Sequence, residues 1–214
     1  MKDLNEIELI LDLLKLEYPK AKCALDFNDK FQLLIAVALS AQTTDESVNK
    51  ITPLLFEKYP DAKSLSEANQ EDVEEIIRSI GLYKNKARNI IEIAKSIVND
   101  YLGLVPRNYE ELIKLKGVGR KTANVILSVG FGNQTIAVDT HVFRVSNRLG
   151  LANAKDPLTT EYDLMGKIPK ERWTETHHSL IFHGRNCCFA RNPNCEECII
   201  KDFCNYYLRE KGAD

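Results

Sequence analysis

The stretch Lys116-Gly117-Val118-Gly119-Arg120-Lys121-Thr122-Ala123-Asn124 decides how the rest of the chain is read. A short apolar helix, Leu112 to Leu115, leads into it. The paired glycines permit a tight turn with exposed backbone N–H groups, and a new helix starts straight after. The N-terminus of such a helix favours anions, a DNA phosphate among them. Val118, Thr122, Val125 and Val129 fall on one helical face and are expected to pack inward, while Lys121, Asn124 and Ser128 lie on a different stripe. A Gly-x-Gly turn serves many helix pairs. Arg120, Lys121 and the downstream Val138-Asp139-Thr140-His141 make this one more specific.

Upstream and downstream the pattern stays helical. Leu4, Ile7, Leu11 and Leu14 repeat with the 3.6-residue period of an amphipathic helix. Phe31, Leu34, Ile35 and Ala38 continue that spacing in a more buried helix ending near Gln42. Thr44 or Asp45 can cap a third helix through Phe56, and Glu71 to Ile80 reads as a short one stopped by Gly81. Lys84 to Tyr101 follows, before a turn marked by Gly103 and Pro106. No segment alternates as a strand does, so the fold class is all-α.

Composition agrees with a folded enzyme or binding module. The 214 residues are 44% hydrophobic and 28% charged, which suits one large or two small domains and excludes a disordered tail protein. The longest apolar run, Leu33 to Leu39, has seven residues, against the roughly 20 needed to span a bilayer. Asp3, Glu6, Glu8 and Asp12 interrupt the N-terminus, unlike a signal peptide. The expectation is an intracellular protein of cytoplasm or nucleoid, neither secreted nor membrane-bound. The net charge of −2 does not advertise a nucleic-acid binder, but the segment from Arg107 to Arg148 carries +4. Such a local patch suits phosphate contact, and a solvated basic face accounts for it equally well.

The tail carries the second strong signal. Cys188, Cys195, Cys198 and Cys204 are spaced C-x6-C-x2-C-x5-C, and four thiolates so close in sequence can wrap one tetrahedral metal or one cubane cluster. Only Cys195 and Cys198 form a zinc-type C-x2-C pair, so spacing leaves zinc and iron–sulfur both open. Cys23 and Cys187 read as ordinary thiols, though Cys187 adjoins a candidate ligand.

Several segments together resemble the endonuclease III family of the helix-hairpin-helix superfamily. They are Leu39-Ser40-Ala41-Gln42-Thr43-Thr44-Asp45, Gly81-Leu82-Tyr83, Gly117 to Asn124, Val138-Asp139-Thr140-His141-Val142-Phe143-Arg144 and His183-Gly184-Arg185, in the same order. With the four-cysteine tail the resemblance covers almost the whole chain. It implies a two-lobed helix-hairpin-helix DNA glycosylase fold with a C-terminal iron–sulfur loop. The first lobe would be a helical barrel-like domain, 23–133, holding the hairpin at about 109–129. Residues 1–22 and 134–214 would form the second, with the loop at 188–204. It also tips the metal toward a [4Fe–4S] cluster held by Cys188, Cys195, Cys198 and Cys204.

The activity so implied is base excision repair. Oxidised pyrimidines would be removed from duplex DNA, and the strand would be cut 3′ to the abasic site by β-elimination. Lys121 matches the family's nucleophile, whose amine forms a Schiff base with the sugar; without that match the phosphate-contact reading is the stronger one. Asp139 matches the catalytic carboxylate and can also cap a helix. A carboxylate in direct contact would keep the lysine protonated, so separation or a bridging water is expected in the free enzyme, with Arg120 and desolvation lowering the lysine pKa. The target nucleotide must be flipped out. Gln42 and Leu82 match residues that fill the vacated space, expected from opposite lobes. Gly117, Val118, Gly119, Arg120 and Thr122 would bind DNA through the hairpin. His141 and Arg144 would contact sugar or phosphate or orient Asp139, and Arg191, with Lys201, would offer charge from the cluster loop.

One residue departs from the family pattern: Lys116 stands where proline is usual, which removes a stiffening ring and adds a cation. Two other readings compete. A mismatch adenine glycosylase shares hairpin, aspartate and cluster, but usually lacks the lysine and carries a further C-terminal domain. A non-catalytic helix-hairpin-helix protein would bind DNA without a covalent adduct. The expected partner is duplex DNA containing oxidised pyrimidines or abasic sites, met by a monomer.

Overall fold

The structure, a computed structural model, describes residues 2–211. Among them lie twelve α-helices and no strand. In chain order they are α1 (Leu4–Glu17), α2 (Lys30–Leu39), α3 (Asp45–Lys58), α4 (Ala62–Ser66), α5 (Gln70–Ile76) and α6 (Tyr83–Tyr101). Then come α7 (Tyr109–Leu112), α8 (Arg120–Val125), α9 (Thr140–Leu149), α10 (Pro157–Lys167), α11 (Trp173–Asn186) and α12 (Asn205–Lys211). No helix is long and apolar enough to cross a membrane. The chain divides into two compact units: Ala24–Gly132 forms one, and the segments up to Cys23 and from Asn133 onward form the other.

Side-chain caps explain most helix starts. Asp3 and Glu6 close a reciprocal capping box on α1, and Asp29, Thr44, Asp61, Asn69, Asn108, Asp139 and Asp156 cap α2, α3, α4, α5, α7, α9 and α10. Three sequence expectations shift as a result. The helix before the hairpin is Tyr109–Leu112 rather than Leu112 to Leu115, because Asn108 accepts from the Glu111 N–H at 2.9 Å and starts it early. The helix expected to reach Ile80 ends at Ile76, and its last residues form a turn closed by Ile80 N–H to the Ile77 carbonyl at 3.1 Å. Helix α4 was not expected; Asp61 and Ser64 cap it reciprocally.

In the 24–132 unit, α2 is buried almost all round, with Leu33, Leu34, Ile35, Ala36 and Leu39 fully enclosed. Helix α6 packs on it and buries Ile90, Ile93, Ala94 and Ile97, each isoleucine contributing about 1.5–3 kcal/mol on burial. A single π turn, Ile126–Gly130, continues α8 and shifts its register. Asn124 and Ser128, on the stripe set apart from the apolar face in sequence, are both buried, while Lys121 stays exposed.

The other unit packs Ile7, Ile10, Leu11 and Leu14 of α1 with Val142, Val145 and Leu149 of α9 and Leu180 of α11. Arg172 locks the same corner, donating to Glu8 at 2.8 Å, Asp12 at 2.7 Å and Glu175 at 3.2 Å.

Candidate functional site

The hairpin is built by backbone chemistry. Val118 N–H closes on the Leu115 carbonyl at 3.0 Å, and Gly117 sits at φ +85°. A Cβ there would meet Asn89 no closer than 3.7 Å, so the glycine is required by its left-handed backbone rather than by space. Gly119 caps α8 without a side chain, leaving the first N–H groups of that helix without a side-chain acceptor. Val118 itself is buried and Thr122 half-buried. Of the hairpin residues expected at DNA, these two therefore offer main-chain groups first.

Arg120 packs over the Tyr109 ring at 5.3 Å and donates to its hydroxyl at 3.2 Å, which braces α7 against α8. Lys116, in the proline position, lies 3.9 Å from Glu92 of α6, a solvent-exposed pair. Lys121 is exposed in the first turn of α8 and makes no hydrogen bond or ion pair among the described residues. Burial therefore does not supply the desolvation expected of it.

Gln42 and Leu82 share an unusual property. Both are exposed, and both adopt the left-handed backbone, at φ 55° and 59°. Non-glycine residues pay about 1–3 kcal/mol for that conformation, and such strain gathers at functional sites. One expectation is corrected here: the two do not come from opposite lobes, since both belong to the 24–132 unit. Gln42 follows α2 and Leu82 opens α6, and those helices pack on one another.

In the other unit, Asp139 caps α9. Its Oδ1 accepts from the N–H groups of His141 and Val142, each at 2.8 Å, and Oδ2 accepts from no donor among the described residues. His141 and Arg144 face each other, Nδ1 to Nη2 at 3.2 Å. Arg144, expected at sugar or phosphate, is spent on the protein: it reaches the Cys188 carbonyl through Nε at 3.1 Å and the Gly184 carbonyl through Nη2 at 2.9 Å. Gly184 permits this closeness, because a Cβ there would stand 2.9 Å from the Cβ of His141.

Cys188, Cys195, Cys198 and Cys204 line one pocket with Cys187 and His183, and none is in a disulfide. His183 is buried, 3.2 Å from the Tyr18 hydroxyl and 3.6 Å from Cys198 Sγ, and burial lowers its pKa to about 4. Burial also pushes the Cys187 thiol up to about 12 and raises Cys195 and Cys198. Donor atoms of His183, Cys187 and Cys198 lie within 4.8 Å of one another, a grouping that includes Cys187 and not Cys188. Soft sulfur donors converging on one enclosed space suit an iron–sulfur cluster.

Sequence reading missed Arg148, which donates to Cys188 Sγ at 3.4 Å and to the Phe189 and Ala190 carbonyls at 2.6 and 3.0 Å. Only its position one turn past Arg144 on α9 signalled it. Arg191 is exposed, whereas Lys201 turns back to the Glu196 carbonyl at 2.7 Å.

Residues 35–170 match the model of the HhH-GPD superfamily of base excision DNA repair proteins, and residues 188–204 match the iron–sulfur binding domain of endonuclease III. The second match begins at Cys188 and ends at Cys204, leaving Cys187 outside. Endonuclease III of Bacillus subtilis (strain 168) is 51% identical over 205 residues, 95% of this chain and 94% of that protein. That of Synechocystis (strain PCC 6803) is 49% identical, covering 91% and 90%. A trapped covalent complex of an endonuclease III with DNA superposes with a TM-score of 0.93 at 48% identity, covering 99% of this chain and 100% of that one.

Proposed function

The chain belongs to the endonuclease III family of DNA glycosylase/AP lyases, with its iron–sulfur domain, and from that premise we propose that it excises oxidised pyrimidines from duplex DNA through Lys121. The observation that carries the assignment is Lys121 itself, an exposed amine with no hydrogen-bond or ion-pair partner among the described residues, just behind a glycine turn with no side-chain cap. DNA entering that turn would receive phosphate contacts from the N–H groups of Gly119 to Thr122. It would also remove water from Lys121 and so favour the neutral amine.

The neutral amine attacks C1′ of the damaged nucleotide, and the glycosidic bond breaks with its electron pair leaving on the base. Loss of a proton from the nitrogen leaves an aminal, whose nitrogen lone pair then breaks the C1′–O4′ bond; O4′ takes up a proton and the opened sugar is held as the protonated Schiff base. The iminium acidifies C2′–H; removal of that proton expels the 3′ phosphate by β-elimination. Asp139 uses Oδ1 to cap α9, which leaves Oδ2 to face the cationic sugar or to accept the amine proton. A carboxylate thus performs both the structural and the chemical role. Gln42 and Leu82 fill the space of the flipped nucleotide, an amide for the orphaned base and an apolar wedge. Cys188, Cys195, Cys198 and Cys204 would hold a [4Fe–4S] cluster, which when bound would cross-link the loop that presents Arg191. The protein acts as a monomer.

The test is reductive trapping. Wild type and Lys121→Gln are incubated with duplex DNA containing thymine glycol, and borohydride is added. A covalent adduct in wild type that is lost in the variant is the expected result. Tight DNA binding with no adduct in wild type would overturn the lyase assignment in favour of a monofunctional glycosylase or a non-catalytic DNA-binding protein.

A further inference from the structure

A buried lysine that takes no part in this chemistry lies between the two strained residues. Lys86 is 6% exposed, and it sits one turn into α6 from Leu82, its backbone N–H bonding the Leu82 carbonyl at 3.0 Å. Its Nζ donates to the Oγ1 of Thr43, the residue after Gln42. Thr43 Oγ1 is its one hydrogen-bond partner among the described residues, and no carboxylate pairs with it. Desolvation lowers its pKa, the mark of a cation held in an unfavourable place.

Burying an ammonium with one of its three donors satisfied costs several kcal/mol, and a methionine would fill similar space without that cost. The bond to Thr43 gives the charge a purpose. On one side it holds the turn closed by Thr43 N–H to the Ser40 carbonyl at 3.1 Å, in which Gln42 takes its left-handed conformation. On the other it is anchored to the helix start where Leu82 takes the same conformation. Strained residues persist only where their surroundings over-determine them.

We propose that Lys86 is a positioning residue for base extrusion: its ammonium ties the Gln42 turn to the Leu82 helix start and fixes the spacing of the two. The inference rests on the reading of Gln42 and Leu82 as the pair that fills the vacated position.

The experiment compares two substrates: duplex DNA with thymine glycol opposite adenine, and a single-stranded oligonucleotide with an abasic site, which has no partner strand and no base to extrude. Lys86→Met should lower the ratio of duplex excision to single-strand elimination at least tenfold. Thr43→Val, at a half-buried position that tolerates the change, should lower the same ratio. Thr43→Ser, which keeps the hydroxyl, should restore it. In the double variant the ratio should fall no further than in Lys86→Met alone. Equal losses on both substrates in Lys86→Met and Thr43→Val would show a structural role only and overturn the proposal, as would an unchanged ratio. Gln42→Ala and Leu82→Ala separate the two levels. If they leave the ratio unchanged, the gap-filling reading fails and the proposal with it. If they lower it while Lys86→Met and Thr43→Val do not, the positioning role alone fails.

Discussion

Arg144 and the carbonyl of Cys188 are joined by a forked hydrogen bond, Nε at 3.1 Å and Nη2 at 3.0 Å. The same guanidinium reaches the Gly184 carbonyl and His141 Nδ1, so one side chain ties α9, α11 and the start of the cysteine loop together. Hydrogen bonds to charged groups are worth about 1.5–3 kcal/mol each. Arg144→Gln cannot span these acceptors. It should destabilise the protein by about 2–4 kcal/mol and lower the iron bound per chain, read by urea unfolding and iron analysis of the same preparation. Full iron content with unchanged stability would show that the fork is dispensable.

Much of this was legible in the sequence, and the misses have physical causes. The Gly117–Gly119 turn and the cysteine spacing could be read because each is a local constraint: a backbone conformation, or a ligand set within a short loop. The protein partners of Arg144 could not be read, because a cation one turn beyond Asp139 looks the same whether it meets phosphate or protein carbonyls. Lys86 was silent for the same reason. In sequence it is one lysine on an amphipathic helix, and only the packing of α6 shows that it is buried. The π turn at Ile126–Gly130 lies beyond any reading that assumes 3.6 residues per turn.

Gly184→Ala tests the close approach of α11 to α9. The added methyl would stand 2.9 Å from the Cβ of His141, and a Cβ cannot escape by changing rotamer. The expected cost is about 1–3 kcal/mol, the range for overpacking. His141→Gly removes the obstructing atom. The double variant should therefore be destabilised by less than the sum of the single changes, measured in a double-mutant cycle by denaturant unfolding. Simple additivity would place the strain elsewhere.

Lys116→Pro examines the departure from the family pattern. The Lys116 N–H makes no hydrogen bond among the described residues, so proline removes no donor from the turn. What is lost is an exposed pair with Glu92, worth at most about 1 kcal/mol. DNA affinity should change by less than tenfold, with borohydride trapping retained. Complete loss of base excision would mean that the lysine contributes more than its charge.

His178 on α11 gives a pH dependence with a definite sign. Burial lowers its pKa from 6.5 to about 4, so the unfolded chain takes up a proton at mildly acidic pH that the folded chain refuses. Its contribution is neutral above pH 6.5. As pH falls toward 4 the residue destabilises the fold, by about 1.4 kcal/mol per pH unit at the steepest. His178→Gln should flatten the slope of unfolding free energy between pH 6.5 and 4.5 relative to wild type. Equal slopes would mean that this imidazole protonates in the folded state.

Leu82 and Leu102 test whether the backbone strain at Leu82 serves the gap-filling role proposed for it. Both occupy the left-handed region, at φ 59° and 54°, and both are exposed, by 59% and 93%. Leu82 opens α6 and Leu102 closes it. Glycine adopts this conformation without a Cβ penalty, so Leu102→Gly should stabilise the protein by about 1 kcal/mol and leave excision unchanged. Leu82→Gly relieves the same strain and should leave stability equal or higher, yet it removes the proposed wedge and should lower duplex excision at least tenfold. The pair is compared by thermal unfolding and by single-turnover excision of thymine glycol. If both variants excise normally, the backbone strain at Leu82 is as incidental as that at Leu102, and the apolar wedge must be sought in another side chain.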